Sequence, residues 1–360
     1  METALNIGEP WMWAVFIVFV LVMLAVDLFL VGGNKAHKVS FKEAAAWSLV
    51  WFGLAMLFNL GLWWYLKGSY GSEIAETKAM EFLTGYLIEK SLAVDNIFVF
   101  LMIFGFFAVP AEYQRRVLIY GVIGAIVMRA IMILAGAWLI QEFHWILYLF
   151  GAFLVVTGIK MLIFAEAEPD LGRNPLLNWL KGRMRLTPDY RGEKFWVVEN
   201  GVRMFTPLFL VLIMIELSDL VFAVDSIPAI FAVTDEPFLV FTANAFAVLG
   251  LRAMYFLLAD LVHRFVYLKT GLALVLVWVG LKMILKIDLY YVPTWVSLAV
   301  IVTILAVALA ASLRATRGQG RRSVAAPAEP PFRFATAAEL DELEPVWGRR
   351  RPAREGAPTP

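Results

Sequence analysis

Apolar residues in this chain come in long unbroken runs, not in the three-and-four or alternate spacing of half-buried soluble helices and strands. Runs long enough to cross a hydrocarbon layer, about 20 residues each, fall at 11–31, 44–66, 80–107, 117–139, 144–164, 204–233, 238–259, 264–285 and 292–313. The pattern predicts an all-α membrane protein with about nine transmembrane helices. Polar stretches such as "KGSYGSEIAETKAME" (67–81), "QEFH" (141–144) and "TDEP" (234–237) read as loops between them. Trp and Tyr gather near the ends of runs, in "PWMW", "LWWY" and "LYYVPTW", where interfacial belts are expected.

Composition sharpens this. The 360 residues are 61% hydrophobic and 17% charged, with a mean hydropathy of +0.75, too apolar for one soluble core. The lipid bilayer is therefore the first partner. The net charge of +1 comes from short loops and a tail, so no basic surface for nucleic acid is expected. With no cysteine, disulfides, thiolate ligands and cysteine catalysis are excluded together. His37, His144 and His263 are scattered and do not suggest a zinc site.

Lys and Arg placement orients the bundle. Lys35, Lys38 and Lys42 fall in one loop, Arg115 and Arg116 in another, and Arg173, Lys181, Arg183, Arg185, Arg191, Lys194 and Arg203 in or beside the longest, 165–203. Intervening loops carry little base, so the N-terminus is expected outside and the C-terminus in the cytoplasm. The opening "METALNIGEP" has no Lys or Arg, unlike a signal peptide, so the first helix is expected to be retained. Residues 1–313 then form the transmembrane domain. Residues 314–360, rich in Arg, Ala, Pro and Gly, read as a disordered cytoplasmic tail.

Within the apolar runs lies a repeat. "EKSLAVDNIFVF" from Glu89 matches "DLVFAVDSIPAI" from Asp219, aligning Glu89 with Asp219, Asp95 with Asp225 and Asn96 with Ser226. One span later Arg129 in "GAIVMRAIMIL" aligns with Arg252 in "AVLGLRAMYFL". The next span aligns "VVTGIKMLI" with "VWVGLKMIL". Three spans repeat once, as 80–164 and 204–285, and an odd number inverts the second copy in the membrane. Such inverted repeats place a substrate site near the midplane at their interface. "LAVDLFLVGG" puts Asp27 in a third, weaker echo.

Charges inside a span are costly, about 2.5–3.5 kcal/mol each on insertion scales, and are functional by default. Asp95, Asp225, Glu89, Glu216, Asp219, Asn96, Ser226 and Asp27 all offer oxygen, the ligand set of a hard divalent cation. Mn²⁺ and Ca²⁺ remain equally open on this chemistry. Six residues separate Glu89 from Asp95, about 9 Å along a straight helix, so the two do not chelate one ion together. Asp95 and Asp225, related by the repeat, are the expected central pair. Pro228 removes a backbone donor, and an unwinding around 225–228 is expected to expose carbonyls there. Arg129, Arg252 and Lys90 are candidate structural counter-ions, and any of the acids could instead be held by such a base without an ion. Lys160 and Lys282 read as snorkelling side chains.

Two other classes share part of this pattern. An intramembrane aspartyl protease also uses one Asp on each of two helices, but "AVDN" and "AVDS" lack the Tyr-Asp and Gly-x-Gly-Asp contexts of that chemistry. No enzyme is expected. A membrane scaffold, or an insertion or stress-resistance factor without transport, would not need two symmetric acidic motifs.

"EKSLAVDNIFVF", "ELSDLVFAVDSIPAIFAVT" and the nine-span layout resemble the TerC family of bacterial integral membrane proteins, over about residues 10–313. The family is named for tellurite resistance and includes alkali-inducible members. The resemblance implies manganese efflux across the bacterial inner (plasma) membrane, with Mn²⁺ as transported substrate, no permanent cofactor and protons as a candidate coupling ion. Oligomeric state is left open.

Overall fold

A computed structural model describes residues 7–26, 41–143, 145–163, 175–199, 201–259, 267–288 and 292–316. Asp27 and the tail beyond residue 316 lie outside the described residues. The elements in chain order are helices α1 (Pro10–Val26), α2 (Phe41–Tyr70), α3 (Ser72–Phe106), α4 (Ala111–Glu142), α5 (Ile146–Ile163) and α6 (Pro175–Arg183), then strands β1 (Trp196–Glu199) and β2 (Val202–Phe205), then helices α7 (Pro207–Phe231), α8 (Pro237–Leu249), α9 (Leu251–Ala259), α10 (Leu268–Asp288) and α11 (Thr294–Ala315).

The described chain is almost entirely helical. Six of its helices, α2, α4, α5, α7, α10 and α11, are long and apolar enough to cross a membrane, and α8 with α9 makes a seventh if the bent pair is one span. Of the other two expected spans, α1 has 17 residues and α3 carries Glu89, Lys90 and Asp95 at its middle. Large apolar side chains on outer helices face outward, among them Val18, Leu57, Ile131, Val156 and Val307, as lipid contact requires.

The centre is built around α8, in which every residue from Phe238 to Leu249 is buried. A helix apolar all round belongs inside a bundle. It packs on α3 and α4, α4 packs on α7, α3 on α7, and α5 runs along α10. Glycines set these approaches. A Cβ on Gly280 would meet the Gly151 carbonyl oxygen at 2.7 Å, and one on Gly158 would meet the Ala273 carbonyl oxygen at 2.8 Å. These small residues let α5 and α10 touch backbone to backbone, which is how helices associate in lipid.

Four local expectations are corrected. The stretch 67–81 is helical on both sides of Gly71, whose φ of +91° makes the turn between α2 and α3. Its Glu and Lys residues are good helix formers, so α3 extends to 35 residues, about 50 Å at 1.5 Å per residue. The expected span 238–259 is broken at Gly250, where α8 and α9 bend by 41°. Conversely, α7 continues through Pro228 to Phe231. Proline so near a helix end disrupts few backbone bonds, although the Val224 carbonyl still lacks its usual donor. Finally, the long basic loop holds structure of its own: α6 and an antiparallel hairpin pairing Trp196 with Phe205 and Glu199 with Val202.

Candidate functional site

The intramembrane polar residues sort into three groups. The first is an ion-paired knot. Arg129 of α4 donates from Nε to Asp219 Oδ2 at 3.0 Å and from Nη2 to Asp219 Oδ1 at 2.9 Å. Its Nη1 donates to Glu89 Oε2 at 2.9 Å, and Asn244 Nδ2 of α8 donates to Glu89 Oε1 at 2.8 Å. All four carboxylate oxygens are thereby engaged. Arg129, Glu89, Asp219 and Asn244 are each 1–2% exposed. A planar guanidinium suits this forked geometry, and a desolvated pair is tenable only when its hydrogen bonds are satisfied in this way.

The second group surrounds a cavity of about 40 Å³ lined by Leu92, Asp95, Asn96, Arg129, Met161, Phe222, Asp225, Ser226 and Leu276. Asp95 and Asn96 come from α3 and Asp225 and Ser226 from α7, so each helix brings one carboxylate and one neutral oxygen donor to the same space. Asp95 Oδ1, Asn96 Oδ1 and Ser226 Oγ are buried and make no hydrogen bond within the chain. Buried oxygens ordinarily find a partner. Asp225 Oδ1 accepts a long hydrogen bond, 3.4 Å, from Thr157 Oγ1 of α5. Lys269 lies within electrostatic reach of Asp95, and Lys160 of Asp225. The volume suits one small ion or a few waters. Among the described residues, no three His, Asp or Glu side chains converge into a metal-binding group, so the cavity gathers two carboxylates, not three.

The third group stands apart. Glu216 fills the place where a Cβ on Gly124 would sit, and its Oε2 is buried without a partner. Lys90 Nζ is likewise buried and unpartnered, against Gly250 at the α8–α9 bend. Arg252 lies elsewhere, lining a small cavity with Glu43 and Arg115. Lys282, expected to snorkel, is 5% exposed and therefore belongs to the interior, because α10 is enclosed by α5, α11 and α3.

The structure thus unites Asp95, Asn96, Asp225 and Ser226, ties Glu89 and Asp219 to Arg129, and leaves Glu216 Oε2 without a hydrogen bond one turn before Asp219. Sequence reasoning missed Asn244 and Thr157. Asn244 had a visible signal, an amide inside the apolar "FTANAFAV". Thr157 had none beyond preceding Gly158, since Thr in a span usually bonds its own helix.

An apolar bundle enclosing a satisfied ionic knot and an oxygen-lined cavity defines a multi-pass integral membrane protein. The chain belongs to the integral membrane protein TerC family, whose pattern matches residues 74–320. It is 57% identical over 300 residues to the Escherichia coli K12 protein named "Putative membrane-bound redox modulator Alx", covering 83% of this chain and 93% of that one. A membrane protein of Myxococcus xanthus is 49% identical over 317 residues, covering 88% and 96%, and one of Rickettsia felis is 42% identical over 301 residues, covering 84% and 97%. No solved structure matches.

Proposed function

We propose that the protein exports a hard divalent cation, most readily Mn²⁺, through the cavity between Asp95, Asn96, Asp225 and Ser226. One observation carries this: two repeat-equivalent motifs deliver four oxygen donors to one buried cavity, and three of those oxygens have no partner in the chain. Ionised, Glu89, Asp219, Asp95 and Asp225 outnumber Arg129, Lys160 and Lys269, the bases within reach of them, and the surplus calls for a cation or protons. Oxygen donors without thiolate or clustered imidazole favour Mn²⁺ over softer metals. The family's link to manganese efflux points the same way.

Nine crossings and inverted repeats are part of this reading. Counting α1, α3 and the bent α8–α9 pair as spans gives nine. Equating α3, α4 and α5 with α7, α8–α9 and α10 makes the α3–α8 contact the counterpart of α4–α7. The α3–α7 and α5–α10 contacts then fall on the pseudo-two-fold. The orientation is N-terminus outside, C-terminus cytoplasmic, in the bacterial inner membrane. No catalytic step is assigned. Relatives are named for redox modulation; without cysteine, any such role here does not run through thiols.

The test is purified protein in liposomes, with fluorescent readouts for Mn²⁺, Ca²⁺, Mg²⁺ and Zn²⁺ with and without a pH gradient. Wild type should move Mn²⁺, faster when protons are available on the destination side to replace the released ion. Asp95→Asn and Asp225→Asn should each abolish transport at normal expression. The double variant should be little worse, because both groups act on one ion. Near-normal transport by either single variant removes the site, and a scaffold or stress-resistance role becomes the better reading.

A further inference from the structure

Aromatic contacts fix the depth of the hairpin formed by β1 and β2. Phe195, just before β1, lies edge-on to Tyr120 of α4 and to Phe209 of α7, with ring centroids 5.1 and 6.4 Å apart, and the Arg116 guanidinium sits over it. Phe205 of β2 stacks on Phe209 at 4.7 Å, and Thr206 alone separates β2 from α7. At 32 residues α4 runs about 48 Å at 1.5 Å per residue, against about 30 Å of hydrocarbon. Tyr120, in its third turn, stands near the level where headgroups give way to acyl chains, and the hairpin is pinned at that level between α4 and α7. Its two faces differ. Cross-strand pairing of Trp196 with Phe205 and of Val198 with Arg203 puts these residues on one side of the ribbon. There Trp196 is 49% and Val198 68% exposed, and the exposed Arg203 holds its guanidinium 5.1 Å from the centre of the Trp196 ring. Val197 and Met204, on the other side, are half-buried. More base lies beside the ribbon: the exposed Arg185 and Lys194 accept, through their carbonyl oxygens, from the Phe205 amide and from Thr206 Oγ1. The nearby acids face other bases, Glu193 pairing with Arg116 at 3.4 Å and Asp189 lying 4.0 Å from Arg191.

We propose that this face of the hairpin is a binding surface for anionic phospholipid: Trp196 and Val198 enter the boundary between headgroups and acyl chains, and Arg203, with Arg185 and Lys194 beside it, holds lipid phosphates. The residue types fit that boundary and no other surroundings as well. A Trp ring carries a large apolar body with a polar edge and gathers at membrane interfaces. Arg203 can lay its stem and guanidinium plane on the ring while its donors stay at headgroup level, and a planar fork suits phosphate oxygens. Zwitterionic lipid would gain only the apolar part of this contact. Anionic lipid gains both, because basic side chains at a membrane surface draw negative headgroups. The contact involves none of the residues of the cation cavity and does not depend on what the bundle carries. It gives the segment between α5 and α7 a role that a plain connecting loop would not have, anchoring the first turns of α4 and α7 to the adjoining leaflet.

The chain has no cysteine, so a nitroxide on Val198→Cys reports on this face alone. The full chain is placed in vesicles of phosphatidylcholine with increasing shares of phosphatidylglycerol. Relaxation of the label by oxygen, which dissolves in lipid, is compared with relaxation by a water-soluble nickel chelate. The oxygen-to-nickel ratio should be several-fold higher than for a label on Asp189→Cys, an exposed position in the preceding loop, and should rise further with phosphatidylglycerol. Arg203→Gln should raise the share of phosphatidylglycerol needed for half of that rise about fivefold, the weight of one basic side chain beside an anionic surface. Salt should weaken the same response in the chain that keeps Arg203, which reads the electrostatic part even if Arg203→Gln fails to accumulate. A label at 198 as open to nickel as the one at 189 overturns the lipid contact. A high ratio that is indifferent to phosphatidylglycerol and to salt overturns the recognition of anionic lipid.

Discussion

At the residue scale, the charges of the interior are not equivalent, and their hydrogen bonds say why. Asp219 takes two bonds from Arg129, while Glu89 takes one from Arg129 and one from Asn244. Removing the base should therefore hurt more than removing an acid. Arg129→Gln strands two buried carboxylates and should lower stability by about 3–5 kcal/mol. Asp219→Asn should be milder, since Glu89 still pairs with the guanidinium, and Arg129→Gln combined with Asp219→Asn should recover part of the loss. Apparent Tm in detergent across this mutant cycle measures the coupling. Additive losses would mean that Arg129 and Asp219 are not partners in solution. These carboxylates were legible in the sequence as misfits in apolar runs. Their division into a knot and a cavity was not, because it depends on which face of α4 meets α7, and periodicity disappears in a helix apolar on every side.

Glycines make the argument at the scale of elements. Gly280, within α10, and Gly250, between α8 and α9, face different obstacles. A Cβ at Gly280 meets the Gly151 carbonyl oxygen at 2.7 Å, Val155 Cγ2 at 2.9 Å and Leu154 Cβ at 3.0 Å, and backbone cannot swing aside. Gly280→Ala should open the α5–α10 contact and lower stability by about 1–3 kcal/mol. At Gly250 the close atom is Lys90 Nζ, with Trp51 Cβ at 3.3 Å, so Gly250→Ala should stay within about 1 kcal/mol. Equal losses in a thermal melt would contradict the assignment of α5–α10 as the tighter contact. Long apolar runs announced most spans because hydropathy sums over twenty residues. The bend at Gly250, the turn at Gly71 and the hairpin 196–205 escaped because each hangs on one or a few residues, too short a stretch to register in such a sum. Gly-x-Lys at 158–160 and 280–282 looked alike in sequence, yet Lys160 is exposed and Lys282 buried, since α10 has neighbours where α5 faces outward.

For the whole molecule, the open matter is which way the bundle sits in the membrane, and the structure adds a constraint that the charge pattern lacked. The stretch joining the two proposed repeats is not a slack loop: Tyr190 donates to the Phe107 carbonyl oxygen at 2.7 Å, Thr206 Oγ1 to the Lys194 carbonyl oxygen at 2.6 Å, and Arg116 pairs with Glu193 at 3.4 Å. It is thus fastened to the α3–α4 turn, so the basic residues of both must lie on one side of the bilayer. In the proposed orientation, clustered Lys and Arg put that side in the cytoplasm. A single cysteine at Arg183, at the end of α6, should resist an impermeant reagent in intact cells and react after permeabilisation. Cysteine at Arg116 should behave identically, because the two regions are tied together. Labelling of both in intact cells would invert the proposed orientation. Labelling of one alone would mean that the fastening seen here is absent in the membrane, and the pairing of the repeats would have to be redrawn.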